Sequence, residues 1–255
     1  MKRIVFAVLA CVFLVTGAVS AEPRNRRMWE NLNITTLLSP DLSFTVMPGH
    51  RWEFYKSTGT NTLDTYFMEL FVGPNYALKI DDSFKLKLSL WYYYMYFPNR
   101  FSQTAPFSHN IELIPTIEWK ASDRLTISNR VISHNTIYAS SYANEDLRNG
   151  FSSMLREMVT IAYKLPEIDK NLTLLLSDEL FIGIVEDSEA APSATGFYRN
   201  GINSNRLYAG FSYAIDSSLI VVPQVIYETT YDAAGVLTGT NYNLYLTVTY
   251  LFKAF

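Results

Sequence analysis

The stretch Phe84-Lys85-Leu86-Lys87-Leu88-Ser89-Leu90-Trp91-Tyr92-Tyr93-Tyr94-Met95-Tyr96 decides the fold. Every second side chain from Phe84 onward is apolar or aromatic, and polar side chains stand between the first of them. A period of two residues is typical of a β-strand with one face in an apolar medium and the other in a polar one. Soluble strands usually have about five or six residues, whereas a tilted strand of about ten crosses the hydrocarbon layer of a membrane. The stretch therefore predicts a membrane-spanning strand.

The same alternation recurs along most of the chain, in eleven segments that mostly contain 10 to 15 residues. Connections of two lengths alternate between them. Short turns are predicted at residues 39–41, 81–83, 121–123, 166–171 and 216–218, and long polar loops at 56–64, 98–108, 135–150, 184–203 and 229–241. Short turns on one rim and long loops on the other are typical of bacterial outer-membrane barrels.

We predict an all-β fold: a single antiparallel transmembrane β-barrel of about 10–12 strands, with short periplasmic turns and long extracellular loops. No segment after the first twenty residues is apolar over enough residues to form a membrane-spanning helix. A secreted β-sandwich would also alternate, but with shorter strands that are less rich in aromatic residues. Bacterial barrels normally close with an even number of strands, so the count of eleven leaves open a short extra strand in residues 22–31, or one strand too many.

Composition and the N-terminus define the compartment. Of the 255 residues, 49% are hydrophobic and 18% are charged, and the net charge of −3 offers no counter-ion for nucleic acid. Lys2-Arg3, an apolar run over residues 4–15 and a small residue at Ala21 predict a secretory signal peptide over residues 1–21. The barrel then occupies residues 22–255. The alternative to a cleaved signal peptide is a lipoprotein signal with a lipid attached to Cys11. Because Cys11 is the single cysteine, the chain cannot form a disulfide framework.

The polar faces of the predicted strands place charged side chains inside the barrel. The numbers of arginines and glutamates on these polar faces are nearly equal. This predicts either a network of arginine–glutamate pairs that closes the lumen or a solute path lined by charges of both signs. About eight strands enclose a lumen filled by side chains and about 16 leave an aqueous channel, so the strand number does not decide between them. The predicted lumen charge network comprises Arg51, Glu53, Glu69, Glu112, Arg130, His134, Arg156, Glu179, Arg206 and Glu228.

Two further sets of residues are assigned to the rims. A basic collar near the short turns is predicted to attract anions into the periplasmic mouth, with solvated charges at strand ends as the alternative. Arg24, Arg26 and Arg27, which precede the first strand, are expected to join it. Aromatic residues near the strand ends predict an interfacial girdle. The collar comprises Lys79, Lys85, Lys87, Lys120, Arg124, Lys164 and Lys253, and the girdle comprises Trp52, Tyr66, Tyr92, Tyr94, Tyr96, Tyr227 and Tyr242.

No catalytic residue, metal site or cofactor is predicted. A serine hydrolase needs its serine within hydrogen-bond reach of a base, but Ser133 and His134 are adjacent in one strand and point to opposite faces. His50 has no serine two residues away, although a partner on a neighbouring strand is not visible from the sequence. The acidic patches at residues 145–146 and 186–189 are expected to be solvated rather than to bind calcium.

Five separated stretches carry a resemblance. They are Trp29, Arg51, Ser177–Phe181, Phe197–Asn200 and, as the most specific, Asn205-Arg206-Leu207-Tyr208-Ala209-Gly210. Together they resemble an uncharacterised family of bacterial outer-membrane β-barrel, porin-like proteins. The resemblance covers essentially the whole mature chain. It implies an outer-membrane location and a porin-like barrel, and it carries over no catalytic residue.

These observations predict a narrow porin-like channel for small solutes in the bacterial outer membrane. The alternatives are a structural or partner-binding barrel with a side-chain-closed lumen and, second, an outer-membrane lipid-modifying enzyme. The expected partners are outer-membrane lipid, the barrel-assembly machinery and a periplasmic or envelope protein. The aromatic C-terminal residue Phe255 suits recognition by the barrel-assembly machinery. Nucleic acid is not expected.

Overall fold

The computed structural model describes residues 25–55, 61–97, 107–140, 147–148, 151–187 and 199–254. The predicted signal peptide and Phe255 lie outside these ranges. No helix among the described residues is long and apolar enough to cross a membrane. Twelve strands are numbered in chain order: β1 Asn25–Leu37, β2 Leu42–Tyr55, β3 Asn61–Lys79, β4 Phe84–Tyr96, β5 Phe107–Lys120, β6 Leu125–Ser140, β7 Leu147–Arg148, β8 Ser152–Lys164, β9 Leu172–Val185, β10 Gly201–Ala214, β11 Leu219–Tyr231 and β12 Leu237–Lys253.

The strands close into a barrel. β7 has two residues and pairs with β6, whereas the other eleven strands each pair with both neighbours around the barrel. Consecutive long strands are antiparallel, but β1 and β12 are parallel, in register from Asn25↔Asn241 to Leu37↔Lys253. The predicted all-β barrel is confirmed. The prediction of a purely antiparallel sheet is wrong at this one pair, because an odd number of strands that reverse direction at every turn must close with first and last strands pointing the same way.

Four of the short turns share one construction. In each, the first side chain of the turn accepts hydrogen bonds from the backbone N–H groups two and three residues later, which fixes the turn. These acceptors are Ser39, Asp81, Ser122 and Asp216. The turns occupy the predicted positions at one end of the barrel, called here the short-turn rim. The opposite end is the long-loop rim.

The long-loop rim differs from the prediction at two connections. β11 ends at Tyr231 and β12 begins at Leu237, so a tight turn replaces the predicted loop over 229–241. Asp232 accepts two backbone hydrogen bonds in this turn, and Gly235 has a φ of 76°, which glycine adopts without strain. β6 likewise continues to Ser140, into the loop predicted over 135–150. The sequence does not alternate regularly at these strand ends: Ile137 and Tyr138 are adjacent in β6, and Thr238–Asn241 in β12 are small or polar at every position.

The first strand also starts earlier than predicted. A short extra strand is one possibility that the sequence allows in residues 22–31. The described part of that range, residues 25–31, belongs to β1, which runs from the long-loop rim to the Ser39 turn. Arg26 and Arg27 therefore lie at the long-loop rim. The expectation that they join a collar at the short-turn rim is wrong, because β1 ends at the Ser39 turn on that rim and therefore begins at the opposite rim. Arg24 lies outside the described residues.

Alternation sorts the side chains into two walls. The outer wall exposes large apolar side chains along most strands, among them Leu88, Ile117, Leu176 and Leu244. The hydrophobic core lies inside the barrel, where residues such as Trp29, Phe67, Tyr93, Met154 and Ile226 are buried. The inner wall is therefore the place to look for a functional site.

Candidate functional site

The lumen charges form a belt around the inner wall. The belt comprises the ten predicted lumen residues together with Arg27, and all of them except Arg130 stand in the half of their strand nearer the long-loop rim. Five arginines meet five glutamates there, and each glutamate is paired with a cation. The ion pairs with arginine are Arg27–Glu53 at 3.1 Å, Arg51–Glu69 at 3.0 Å, Arg130–Glu179 at 3.2 Å, Arg156–Glu179 at 2.9 Å, Arg206–Glu228 at 2.6 Å and Arg156–Glu112 at 3.8 Å. Glu112 also lies 2.8 Å from the Nδ1 atom of His134.

Glu179 on β9 holds the largest group of these contacts. One carboxylate oxygen accepts hydrogen bonds from Arg130 and Arg156, and the other accepts one from the Tyr208 hydroxyl. Arg156 also approaches Glu112 at 3.8 Å. The side chain of Glu179 is fully buried, and a buried carboxylate is tolerated only when its charge and its lone pairs are satisfied. This group of residues links five strands.

Trp29 on β1 is the aromatic centre of the belt. The guanidinium carbons of Arg51 and Arg206 lie 4.0 and 4.8 Å from its ring centroid. Arg206 also lies 4.3 Å from the ring of Phe181. Cation–π contacts of this kind strengthen where water is excluded. The two arginines are thus held by both a carboxylate and an aromatic face, which fixes them across the lumen.

Side chains close the lumen at the level of the belt. Tyr93, Met95 and Met154 are almost inaccessible to solvent. The rings of Phe71 and Tyr93 stack with centroids 4.0 Å apart, and the Tyr93 hydroxyl donates to Glu69 at 3.0 Å. Within the described residues, the Trp29 indole N–H and both atoms of the Asn243 amide have no hydrogen-bond partner. A small polar molecule placed there would gain hydrogen bonds, because each unsatisfied buried group costs roughly 1–3 kcal/mol.

Toward the short-turn rim the inner wall changes character. It is lined by small polar side chains that stay partly exposed although they face the interior, so they border a water-accessible space, called here the vestibule. Trp91 and Tyr245, both partly exposed, form its floor where the belt begins. Trp91 donates its indole N–H to Asn75 at 2.9 Å. The vestibule lining comprises Thr35, Asn75, Ser89, Thr116, Ser128, Thr160, Ser212 and Thr247.

Comparison with known proteins assigns this barrel to a family. The family described as "Protein of unknown function (DUF2490)" matches residues 26–238. The chain belongs to the DUF2490 family. Among solved structures, the DUF2490 barrel is similar to one described as "NanC porin structure in rhombohedral crystal form", with a TM-score of 0.47 and 14% sequence identity over 88% of this chain and 97% of that chain. No curated protein matches it.

In the DUF2490 barrel, four of the five stretches that carried the family resemblance contribute to the belt. Of the fifth, residues 197–198 lie outside the described ranges, and Arg199 donates hydrogen bonds to Asn203 and to the Tyr231 carbonyl oxygen, which are not part of the belt. Trp29 and Arg51 are cross-strand neighbours on β1 and β2. The stretch Ser177–Phe181 contributes Glu179 and Phe181, and the Asn205–Gly210 stretch contributes Arg206 and Tyr208. Arg206 bridges the groups, since it lies over both Trp29 and Phe181. The resemblance to an uncharacterised family is confirmed. Trp29 was missed as a site residue, because its role depends on the register with Arg51.

The seven predicted collar residues lie at the short-turn rim. Carboxylates accompany four of them, two on the same hairpin turn and two on the neighbouring strand or turn. These pairs are Lys79–Asp82 at 2.6 Å, Lys120–Asp123 at 2.7 Å, Lys87–Glu118 and Arg124–Glu167. Lys85, Lys164 and Lys253 are exposed. This rim of the DUF2490 barrel therefore carries both signs of charge rather than a ring of one sign.

The predicted girdle residues point outward from the long-loop half of the barrel, with one exception. Tyr66 lies at a bulge, where the β2–β3 register passes from Arg51↔Phe67 to Trp52↔Thr65. Its ring lies 3.9 Å from the guanidinium of the inward-facing Arg27. A bulge re-aims the side chain that it inserts, so the assignment of Tyr66 to the girdle is wrong. The outward set comprises Trp52, Tyr92, Tyr94, Tyr96, Tyr227 and Tyr242.

The three histidines occupy three settings. His134 belongs to the belt, and on the outer wall His109 forms a hydrogen bond of 2.7 Å with the Tyr92 hydroxyl. His50 lies 3.1 Å from the hydroxyl of Thr65 across the β2–β3 pair, a partner that spacing along one strand cannot reveal. Over the described ranges, no three His, Cys, Asp or Glu side chains gather as metal ligands. Residues 145–146 and 188–189 of the acidic patches lie outside those ranges.

Among the described strand residues, three carboxylates point outward from the DUF2490 barrel. One of them, Glu30, accepts a hydrogen bond from the indole N–H of Trp52 at 3.3 Å. Asn129 donates to Glu157 at 2.9 Å, and Asn205 donates to Asp178 at 2.6 Å, both at exposed positions. The outward carboxylates accept hydrogen bonds from neutral groups, whereas each carboxylate of the belt is paired with an arginine.

Proposed function

We propose that this protein is an outer-membrane barrel that lets small polar solutes pass through a narrow pore, and that the belt closes the pore at rest. The vestibule is the observation that carries the proposal. Eight strands supply hydroxyl or amide side chains that remain partly exposed inside the barrel. A barrel that serves only as a scaffold has no need of a polar, accessible interior, because apolar side chains would fill it more favourably.

The outer wall supports the membrane location. Leu88, Leu90, Leu113 and Ile117 are exposed on the neighbouring strands β4 and β5, and contiguous apolar surface of this kind marks contact with lipid or with another protein. Export through the signal peptide at residues 1–21 and insertion by the barrel-assembly machinery are part of the proposal. Cell fractionation with the full chain tests it, and recovery of the mature protein in the soluble periplasmic fraction would refute it.

Conductance in planar bilayers tests the pore. The refolded wild-type barrel is expected to show rare, small openings. Trp29→Ala removes the ring that holds Arg51 and Arg206 across the lumen, so it is expected to increase the open time or the conductance. Trp119→Ala removes a ring of similar size from the outer wall, where Trp119 is exposed, and is expected to leave conductance unchanged. Electrical silence in all three proteins would contradict the pore.

The burial of the five belt glutamates, whose side chains are at most 5% exposed, also suits a second candidate function, a barrel that acts through its loops on an envelope partner while its lumen stays closed. Silence in bilayers together with a folded barrel is the result that favours it. Among the described residues, the His50–Thr65 contact is the observation in favour of a lipid-modifying activity. If the pure protein turns over lipid and the His50→Ala variant does not, the protein is an enzyme and the pore proposal is refuted.

A further inference from the structure

The vestibule has a chemical character of its own. Its lining offers hydroxyl and amide groups, which both donate and accept hydrogen bonds. At the floor, the ring of Trp91 lies against the wall beside Gly73, where a Cβ would stand only 2.6 Å from Trp91 Cδ1 and 2.1 Å from the Leu90 carbonyl oxygen. The glycine thus lets a partly exposed aromatic ring lie close to the wall, with its N–H fixed by Asn75.

The charges nearest to the floor of the vestibule are balanced. The belt above the floor contains as many arginines as glutamates, and these are paired with one another. Within the lower vestibule wall, Lys87 is paired with Glu118. A selective site for an anion or a cation needs an excess of the opposite charge, and neither the belt above the floor nor the Lys87–Glu118 pair below it supplies one. Three exposed lysines, Lys85, Lys164 and Lys253, add positive charge only at the short-turn rim, where solvent and salt screen it.

We propose that the vestibule binds a small, neutral, hydroxyl-rich solute of the size of a monosaccharide. A sugar ring combines an apolar C–H face with hydroxyl groups that donate and accept, which matches an aromatic floor surrounded by hydroxyls and an amide. Trp91 supplies the stacking face, Asn75 and its neighbours bond the hydroxyls, and the unpartnered Asn243 amide beyond the floor offers the next hydrogen-bonding position. The inference rests on the proposed function, because it names the solute class that the pore admits.

Binding to the refolded mature chain in detergent micelles tests the proposal without requiring conduction. Glucose and glucuronate, which differ by one carboxylate, are titrated by calorimetry or by saturation-transfer NMR. Glucose is expected to bind in the millimolar range, and glucuronate no more tightly. Trp91→Leu is expected to weaken glucose binding by about tenfold, as expected for the loss of one stacking contact. The control Trp119→Leu, on the outer wall, is expected to bind glucose as the wild type does.

Asn75→Ala provides a second variant that keeps the ring of Trp91, and it is expected to weaken binding even if Trp91→Leu fails to fold. The proposal is overturned if glucuronate binds more than about tenfold more tightly than glucose, if glucose does not bind, or if Trp119→Leu loses binding equally. Conduction without glucose binding refutes this inference and leaves the pore standing. Glucose binding by an electrically silent barrel refutes the pore and leaves the site standing.

Discussion

Asp178 and Glu179 are consecutive residues of β9, and they face different surroundings. Glu179 points inward, is fully buried and is held by two arginines and a tyrosine. Asp178 points outward, is exposed and is held by the neutral amide of Asn205. The comparison shows that the alternation of a strand determines whether a side chain faces the lumen or the outer surface. The side chains on the neighbouring strands then determine whether a carboxylate is paired with cations or with a neutral group. Three carboxylates, in the lumen, on the outer wall and in a water-exposed turn, allow the comparison to be tested.

The lumen carboxylate is expected to give the largest effect. Glu179→Gln removes the main counter-charge of Arg156, whose side chain is only 14% exposed, and that of the partly exposed Arg130. Because it leaves a nearly buried cation uncompensated, the free energy of unfolding should fall by about 3–5 kcal/mol. Urea-induced unfolding of the refolded barrel in micelles measures it. Glu118→Gln is the matched control, because the Lys87–Glu118 pair is partly exposed and surface pairs contribute only about 0–1 kcal/mol. Equal losses in the two variants would mean that the belt is solvated rather than dry.

Removing the outer-wall carboxylate is expected to raise the free energy of unfolding rather than to lower it. Asp178→Leu removes a charge from a wall that faces lipid, so the barrel should become more stable by about 1 kcal/mol in lipid bilayers, where lipid-facing charges are unfavourable. The same unfolding titration in liposomes measures it. A loss as large as that in Glu179→Gln would show instead that this face of β9 contacts another protein.

The turn carboxylate is expected to give the smallest effect, and one that depends on pH. Hydrogen bonds from the Ser218 hydroxyl and from the backbone N–H groups of Ser218 and Leu219 hold the pKa of Asp216 below its ordinary value. A carboxylate with a lowered folded-state pKa stabilises the fold above its unfolded value of about 4, and this contribution is lost as the pH falls through the folded value.

Asp216→Ala should therefore unfold at slightly lower urea concentration than the wild type at pH 7, with the difference shrinking in acid. Asp41→Ala is the control, because Ser39 and not Asp41 accepts the backbone hydrogen bonds of its turn. A difference that persists unchanged down to the acid limit would show that the Asp216 charge is not the cause.

Much of the fold could be predicted from the sequence, because a period of two reports directly on which residues share a wall. The short turns were predictable as well, since Ser39, Asp81, Ser122 and Asp216 are residues that cap turns. The lumen set was found by alternation alone. Its pairing was not, because partners depend on the register between strands, which no single strand encodes. Two errors have different origins: the bulge at Tyr66 arises from the register between β2 and β3, whereas the place of Arg27 follows from the direction in which β1 runs toward the Ser39 turn.

Because β1 and β12 are parallel, the first and last strands of the barrel have their outer ends at opposite mouths. In a barrel with an even number of strands, both of these ends lie at the same mouth. Asn25 and Lys253, at the outer ends of these two strands, sit at opposite mouths. A peptide tag joined ahead of Asn25 and another joined behind Lys253 would therefore emerge on the two sides of whatever layer the barrel crosses. One polypeptide could then carry its own pair of reporters, one for each compartment.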